Sequence, residues 1–259
     1  MTTLFATPFE AVSCKQCRNK EDLDFEFTMA LQPIFDTQNN RPFAYEALVR
    51  GINGEGAGQI LAKVNDANRY RFDQACRVKA IERASLLRLQ DIPDCLLSIN
   101  FMPNAVYRPE TCIRATLEAS REFNFPTDRL MFEVTEGEKV SDPAHLVGIF
   151  HEYRRQGFTT AIDDFGAGYA GLNLLAEFQP HVLKLDMELI RGIAVNKARQ
   201  AIVAGVMEVA RRLDITIIAE GVETAEERDC LASFGVRYMQ GYLFARPDME
   251  SLQLHLFGA

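Results

Sequence analysis

FTTAIDDFGAGYAGLNLLAEFQPHVLKLD, residues 158–186, is one folding unit in outline. FTTAID (158–163) and HVLKLD (181–186) are short apolar runs, each closed by an acid, as buried strands are. Gly166, Gly168 and Gly171 mark the turn out of the first run, and a helix-like segment (169–178) fills the space between the two. Strand, helix and strand at this spacing is the crossover unit of a parallel sheet.

The same unit recurs in both directions. Further strand-like runs are CLLSINF (95–101), RLMFEV (129–134), ITIIAE (215–220) and VRYMQGY (236–242). Helix-like segments occupy 56–90, 109–124, 142–156, 196–213 and 224–234, with cap signals at Ser141-Asp142-Pro143 and at Thr224. FTMALQPIFD (27–36) and FAYEALVRG (43–51) flank the turn QNNRP and predict an opening hairpin. About eight strands in this pattern predict an α/β fold of the TIM-like (β/α)8 barrel type, with an open doubly wound sheet as the alternative. Residues 1–25 read as an N-terminal extension ahead of a domain at 26–259.

The bulk composition narrows the function. The net charge is −8, from 28 basic and 36 acidic residues, and no run of Lys or Arg offers a footprint for duplex nucleic acid. A negative protein binds a phosphorylated ligand when cations bridge the like charges. The N-terminus has neither the basic start nor the apolar stretch of a signal peptide, and no run reaches the ~18 apolar residues of a membrane span. With six scattered cysteines, the expectation is a cytoplasmic chain with no membrane partner. Cys14-x-x-Cys17 has no second pair or nearby His and reads as incidental, with a redox role as the alternative; Cys76, Cys95, Cys112 and Cys230 read as core residues.

The informative feature is where polar residues fall within the strands. Glu46, Asn100, Glu133, Asp163 with Asp164, Lys184 with Asp186, Glu220 and Gln240 each stand at or near the end of an apolar run. Strand ends in parallel α/β folds share one face, where ligand sites are built. Any one of these residues alone is ordinary, a helix cap or an ion-pair partner. Their coincidence points elsewhere. Two adjacent acids after an apolar run repel each other unless cations intervene, and oxygen ligands with one amide suit Mg²⁺ or Mn²⁺. Glu46 is the outlier, lying within its strand. GAGYAG (166–171) has the spacing of a dinucleotide fingerprint, but the acids before it would repel a pyrophosphate.

Taken in order, Glu46-Ala47-Leu48, Asn100, FEVTE (132–136), DDFGAG (163–168), KLD (184–186), EGVE (220–223) and QGYLFARP (240–247) resemble the EAL-domain phosphodiesterases that hydrolyse cyclic di-GMP. The resemblance runs from about residue 27 to the end. It implies a TIM-like barrel whose first strand is antiparallel to the rest, and release of linear pGpG. It implies two ions, Mg²⁺ or Mn²⁺: one held by Glu46, Asn100, Glu133 and Asp163, the other by Asp163, Asp164 and Glu220. Lys184 would lie by the attacking water, sharing proton handling with Glu220, while Glu223 and Gln240 support the site. Gln32, Leu48 and Arg50 would contact substrate, and Glu136 would anchor the glycine loop. A homodimer through the segment after DDFGAG is implied as well. One departure is visible: where the family loop usually reads DDFGTG, Ala167 removes a hydroxyl. The alternatives are a receptor that binds the nucleotide without turnover and an unrelated metal-dependent barrel enzyme.

Overall fold

The computed structural model describes residues 23–135, 143–168 and 171–258. The opening hairpin forms from β1 (Thr28–Asp36) and β2 (Arg41–Arg50). Two helices, α1 (Ala57–Leu61) and α2 (Arg69–Leu86), lead to β3 (Leu96–Asn100). Then come α3 (Pro109–Cys112), α4 (Arg114–Glu122), β4 (Leu130–Thr135), α5 (Pro143–Arg155) and β5 (Thr159–Phe165). The last third holds α6 (Gly171–Glu177), β6 (Val182–Leu185), α7 (Met187–Ile190), α8 (Lys197–Leu213), β7 (Thr216–Ala219), α9 (Ala225–Ser233) and β8 (Tyr238–Met239). The eight strands close into a barrel in chain order. β1 is antiparallel to both its neighbours, β2 and β8, and every other pairing is parallel. The barrel with an antiparallel first strand is therefore the observed architecture.

Strand alternation sorts the side chains into an inner and an outer set. The outer set, with Tyr45, Leu97, Phe132, Ile162, Leu183 and Ile217, joins the helices in the main core. The inner set begins with an apolar layer of Ile34, Ala44, Met131, Ala161, Val182 and Ile218. Two residues further along each parallel strand comes the polar layer: Glu46 after Ala44, Glu133 after Met131, Asp163 after Ala161, Lys184 after Val182 and Glu220 after Ile218. On the antiparallel strand the step runs backwards, from Ile34 to Gln32. The apolar layer is the floor on which the polar layer stands, so water reaches the acids from one end only.

Three elements differ from the sequence reading. The helical stretch expected over 56–90 is broken, because Asn65 and Asn68 turn the chain: Asn65 N–H donates to Asn68 Oδ1 (2.8 Å), and Ala67 N–H to Asn65 Oδ1 (2.8 Å). The stretch at 109–124 is divided between α3 and α4 at Ile113. The last strand shrinks to Tyr238–Met239, because the chain turns inward at Gln240. The cap expected at Thr224 is present as a full capping box with Glu227. The signal at Ser141 and Asp142 lies outside the described residues. Among the described cysteines, Cys76, Cys95 and Cys112 are buried and Cys230 is partly so; Cys14 and Cys17 lie outside them.

The seam between β1 and β8 is pinned by an ion pair. Asp36, 1% exposed, accepts from Arg237 Nε at 2.8 Å and Nη2 at 2.6 Å. That pairing, working against burial and joined by Asn39, holds the Asp36 carboxyl far below the usual carboxylate range. A depressed folded-state pKa stabilises the fold above the unfolded-state pKa of about 3.9, and the contribution fades as pH falls below that. We expect Asp36→Asn to lose stability at pH 6 relative to wild type. The gap between the two should close progressively below about pH 4, read by urea midpoints across pH.

Candidate metal centre and active site

The polar layer converges on Lys184. Its ammonium is fully buried, 2.7 Å from Glu220 Oε1, 3.1 Å from Asp163 Oδ1, 3.1 Å from Glu133 Oε2 and 3.5 Å from Glu46 Oε2. Burial alone would lower its pKa, but Asp163, Glu133, Glu220 and Glu46 outweigh that and hold it well above the usual value. It is charged. Burial pushes the Glu133 carboxyl well up against the pull of Lys184, with Glu46 and Asp163 adding repulsion. Glu220 is pushed up by burial and by Asp163.

Uncharged donors complete the first group. Asn100 Nδ2 donates to Glu46 Oε1 (3.0 Å) and Glu133 Oε1 (2.9 Å). Ser98 Oγ donates to Glu133 Oε2 (2.6 Å), and Gln240 Nε2 to Glu46 Oε2 (2.8 Å) and to Gln32 Oε1 (3.1 Å). Gln32 in turn donates to Ala245 O (3.0 Å), which ties β1 to the C-terminal loop.

The donor chemistry fits divalent cations. Among the described residues, Glu46, Glu133 and Asp163 form one group whose oxygens lie within 4.8 Å of one another, and Asp163, Asp164 and Glu220 form a second. Asp163 belongs to both. Every candidate ligand is an oxygen, which suits a hard cation and disfavours zinc. Asp164 sits in the left-handed region at φ 55°. Its carboxyl is pushed up to about 6 by burial and by the neighbouring Asp163 and Asp186.

Two cavities meet here. One of 240 Å³ is lined by Gln32, Glu46, Leu48, Asp164, Glu220 and Glu223, together with Gln240 and Tyr242. The other, of 410 Å³, lies between β2 and α2, with Leu48, Phe72, Phe101 and Met102 on its apolar walls and Glu46, Asn100 and Asp73 as polar groups. Glu46 and Leu48 line both.

The structure thus brings together Glu46, Asn100, Glu133, Asp163, Asp164, Lys184, Glu220, Gln240, Gln32 and Leu48. Two expected residues stand apart. Arg50 lines neither cavity, and its Nη1 donates to Val49 O at 2.7 Å. Glu223 borders the first cavity but pairs with Arg191 at 3.1 Å, both about half exposed. Glu136 lies outside the described residues. Sequence reasoning missed Ser98, Asp73, Met187 and Tyr242. Ser98 and Asp73 sit inside a strand and a helix, where no end-of-strand signal marks them.

A family model described as the EAL domain matches residues 17–247. The chain belongs to the EAL domain family. The barrel superposes on the c-di-GMP-bound form of a standalone versatile EAL protein from Vibrio cholerae O395, with 51% identity, a TM-score of 0.84, and coverage of 89% of this chain and 95% of that one. It also matches the manganese and cyclic di-GMP complex of Klebsiella pneumoniae BlrP1 at pH 9.0, at 36% identity and a TM-score of 0.80, over 88% of this chain and 58% of that one. Among curated proteins, the cyclic di-GMP phosphodiesterase RocR of Pseudomonas aeruginosa is 39% identical over 129 residues, 50% of this chain and 33% of RocR. The chain spans 55%, 33% and 23% of the length of the first three curated relatives it matches. No helix among the described residues is long and apolar enough to cross a membrane.

In this EAL domain the loops bearing Glu220 and Gln240 are locked by a close backbone approach. A Cβ on Gly241 would come within 2.1 Å of Val222 O and 2.4 Å of Val222 N, so only glycine fits. Val222 N–H donates to Gln240 O (3.1 Å), and Leu243 N–H to Val222 O (3.1 Å). Gly241→Ala should therefore lower stability by about 1–3 kcal/mol, read as the urea midpoint, because the clash is with backbone that has nowhere to move.

Proposed function

We propose that this EAL domain hydrolyses cyclic di-GMP to linear pGpG with the help of two divalent cations, Mg²⁺ or Mn²⁺. The observation that carries the proposal is the pair of oxygen-lined acid groups sharing Asp163 around the charged Lys184. Glu46, Glu133 and Asp163 would hold one cation, with Asn100 joining through Oδ1 once its amide turns over from its Nδ2 contacts, and Asp163, Asp164 and Glu220 the other. Such a pair supplies positive charge to the phosphodiester and activates a water for attack. Lys184, amid the acids of both groups, would hold that water by a charge-assisted hydrogen bond. Glu220, which lines the first cavity, would accept the water's proton. Gln240 would orient Glu46, and Glu223, through its pair with Arg191, would tie the loop after Glu220 to the segment that follows α7.

The substrate assignment is supported by the names of the relatives and by the shape of the site. Two cavities joined at Glu46 and Leu48 suit a two-lobed ligand, with phosphate over the acids and a base to either side. Arg50, at the end of β2, would approach a phosphate only after leaving Val49 O. We infer a homodimer as well, supported by exposed apolar residues on α6, α8 and the segment before α8: Leu172, Val195, Ile202, Val209 and Leu213. Light scattering checks it.

Chromatography of cyclic di-GMP incubated with the protein, with Mn²⁺ and with EDTA, tests the function. The expected result is pGpG with the metal and none with EDTA. Tight nucleotide binding without turnover in Mn²⁺ would replace this reading with a non-hydrolysing receptor.

A further inference from the structure

The acid cluster has to exist before any metal arrives. Glu46, Glu133, Asp163 and Glu220 carry four carboxylates into one end of a barrel whose other end is plugged by apolar side chains. Crowded acids of this kind repel, and burial removes the water that would screen them. The neutral donors Asn100, Ser98 and Gln240 reach Glu46 and Glu133, which leaves Asp163 and Glu220 to other partners. Lys184 reaches all four carboxylates and so pairs with members of both acid groups. Its stem rises from β6, between the strand that carries Asp163 and the strand that leads to Glu220, so its anchor is the barrel and not a cation.

We infer that Lys184 is a resident counter-cation: it holds the two acid groups together in the metal-free barrel and, because it shares their oxygens, it weakens the binding of divalent cations. Its position thus trades metal affinity for a fold that assembles without metal. The inference concerns the metal-free cluster and holds whichever phosphodiester is cleaved.

The test compares wild type with Lys184→Met, which keeps the stem and removes the charge, in EDTA and in excess Mn²⁺. In EDTA the variant should melt roughly 10 °C below wild type, because four buried acids lose their shared partner. In Mn²⁺ most of that loss should be recovered. Calorimetry should show Mn²⁺ binding about tenfold tighter in the variant, since one competing charge is gone. Adding Glu133→Gln to Lys184→Met should restore part of the melting temperature in EDTA by removing one of the crowded acids. Should the single variant fold only with Mn²⁺ and unfold on chelation, that is the expected result in its extreme form. An equal loss of melting temperature with and without Mn²⁺ would mean that Lys184 only fills space, and would overturn the inference. So would an unchanged melting temperature in EDTA, or weaker Mn²⁺ binding in the variant. None of these readouts depends on turnover, so a chain that leaves cyclic di-GMP intact does not decide them.

Discussion

Asp163→Asn is expected to lower the turnover of cyclic di-GMP at least about a thousandfold while the barrel stays folded. Asp163 is the one residue common to both acid groups. It also contacts Lys184 at 3.1 Å and accepts from Asp164 N–H at 2.9 Å, so its removal disturbs both proposed cation sites. Asparagine keeps the shape and one oxygen but loses the charge that would bridge two cations. Loss of several kcal/mol of charge stabilisation, at about 1.4 kcal/mol per tenfold, gives the stated factor. Two measurements check it together: pGpG release, and Mn²⁺ stoichiometry by calorimetry, which should fall below two per chain. Retention of more than about a tenth of wild-type turnover would remove Asp163 from the centre of the mechanism. The same experiment on Glu46→Gln should give a smaller loss, because Glu46 belongs to one group only.

A second large effect, on stability, is expected away from the acid cluster. Arg77, on α2, is fully buried, with its guanidinium 5.3–5.7 Å from the rings of Phe101, Phe132 and Tyr153. It pairs with Asp73 at 2.8 Å and donates to the Tyr153 hydroxyl at 2.6 Å. Asp73 accepts in turn from Met102 N–H at 2.8 Å, just beyond β3. Burial pushes the Asp73 carboxyl up, and Arg77 is the chief force opposing that shift. Arg77→Met would leave Asp73 buried without its cation, at a cost of about 3–5 kcal/mol. For a chain of this size that is a fall in melting temperature on the order of 10 °C. Asp73→Asn with Arg77→Met should recover much of the loss, since a buried pair is costly mainly when half of it is missing. A single-variant loss below about 1 kcal/mol by urea unfolding would show that the pair does not support the α2 packing.

Several site residues were readable because strand chemistry is local. An inward apolar residue followed two positions later by an acid, as in Ala161 and Asp163 or Ile218 and Glu220, marks the layer above the barrel floor. Glu46 stands out as mid-strand because β2 runs on to Arg50 in its pairing with β1, yet across the parallel pairing it lies level with Ser98 on β3. Arg77 and Asp73 gave no such signal. Four residues apart on a helix, they read as a surface pair until the rings of Phe101, Phe132 and Tyr153 are packed around them. Arg50 and Glu223 were legible as residue types, but the direction each side chain takes depends on a neighbour, Val49 O for one and Arg191 for the other.

The sequence by itself determined that acids, amides and one lysine fall at or near the ends of most strand-like runs, a pattern that needs nothing beyond each run's own residues. Only the tertiary structure decided that these groups meet. Closing eight strands in order, with β1 reversed between β2 and β8, brings Glu46, Glu133, Asp163 and Glu220 within 2.7–3.5 Å of one ammonium. Separations of that size are set by hydrogen bonds around the whole ring, between strands far apart in the chain, and no local pattern encodes them.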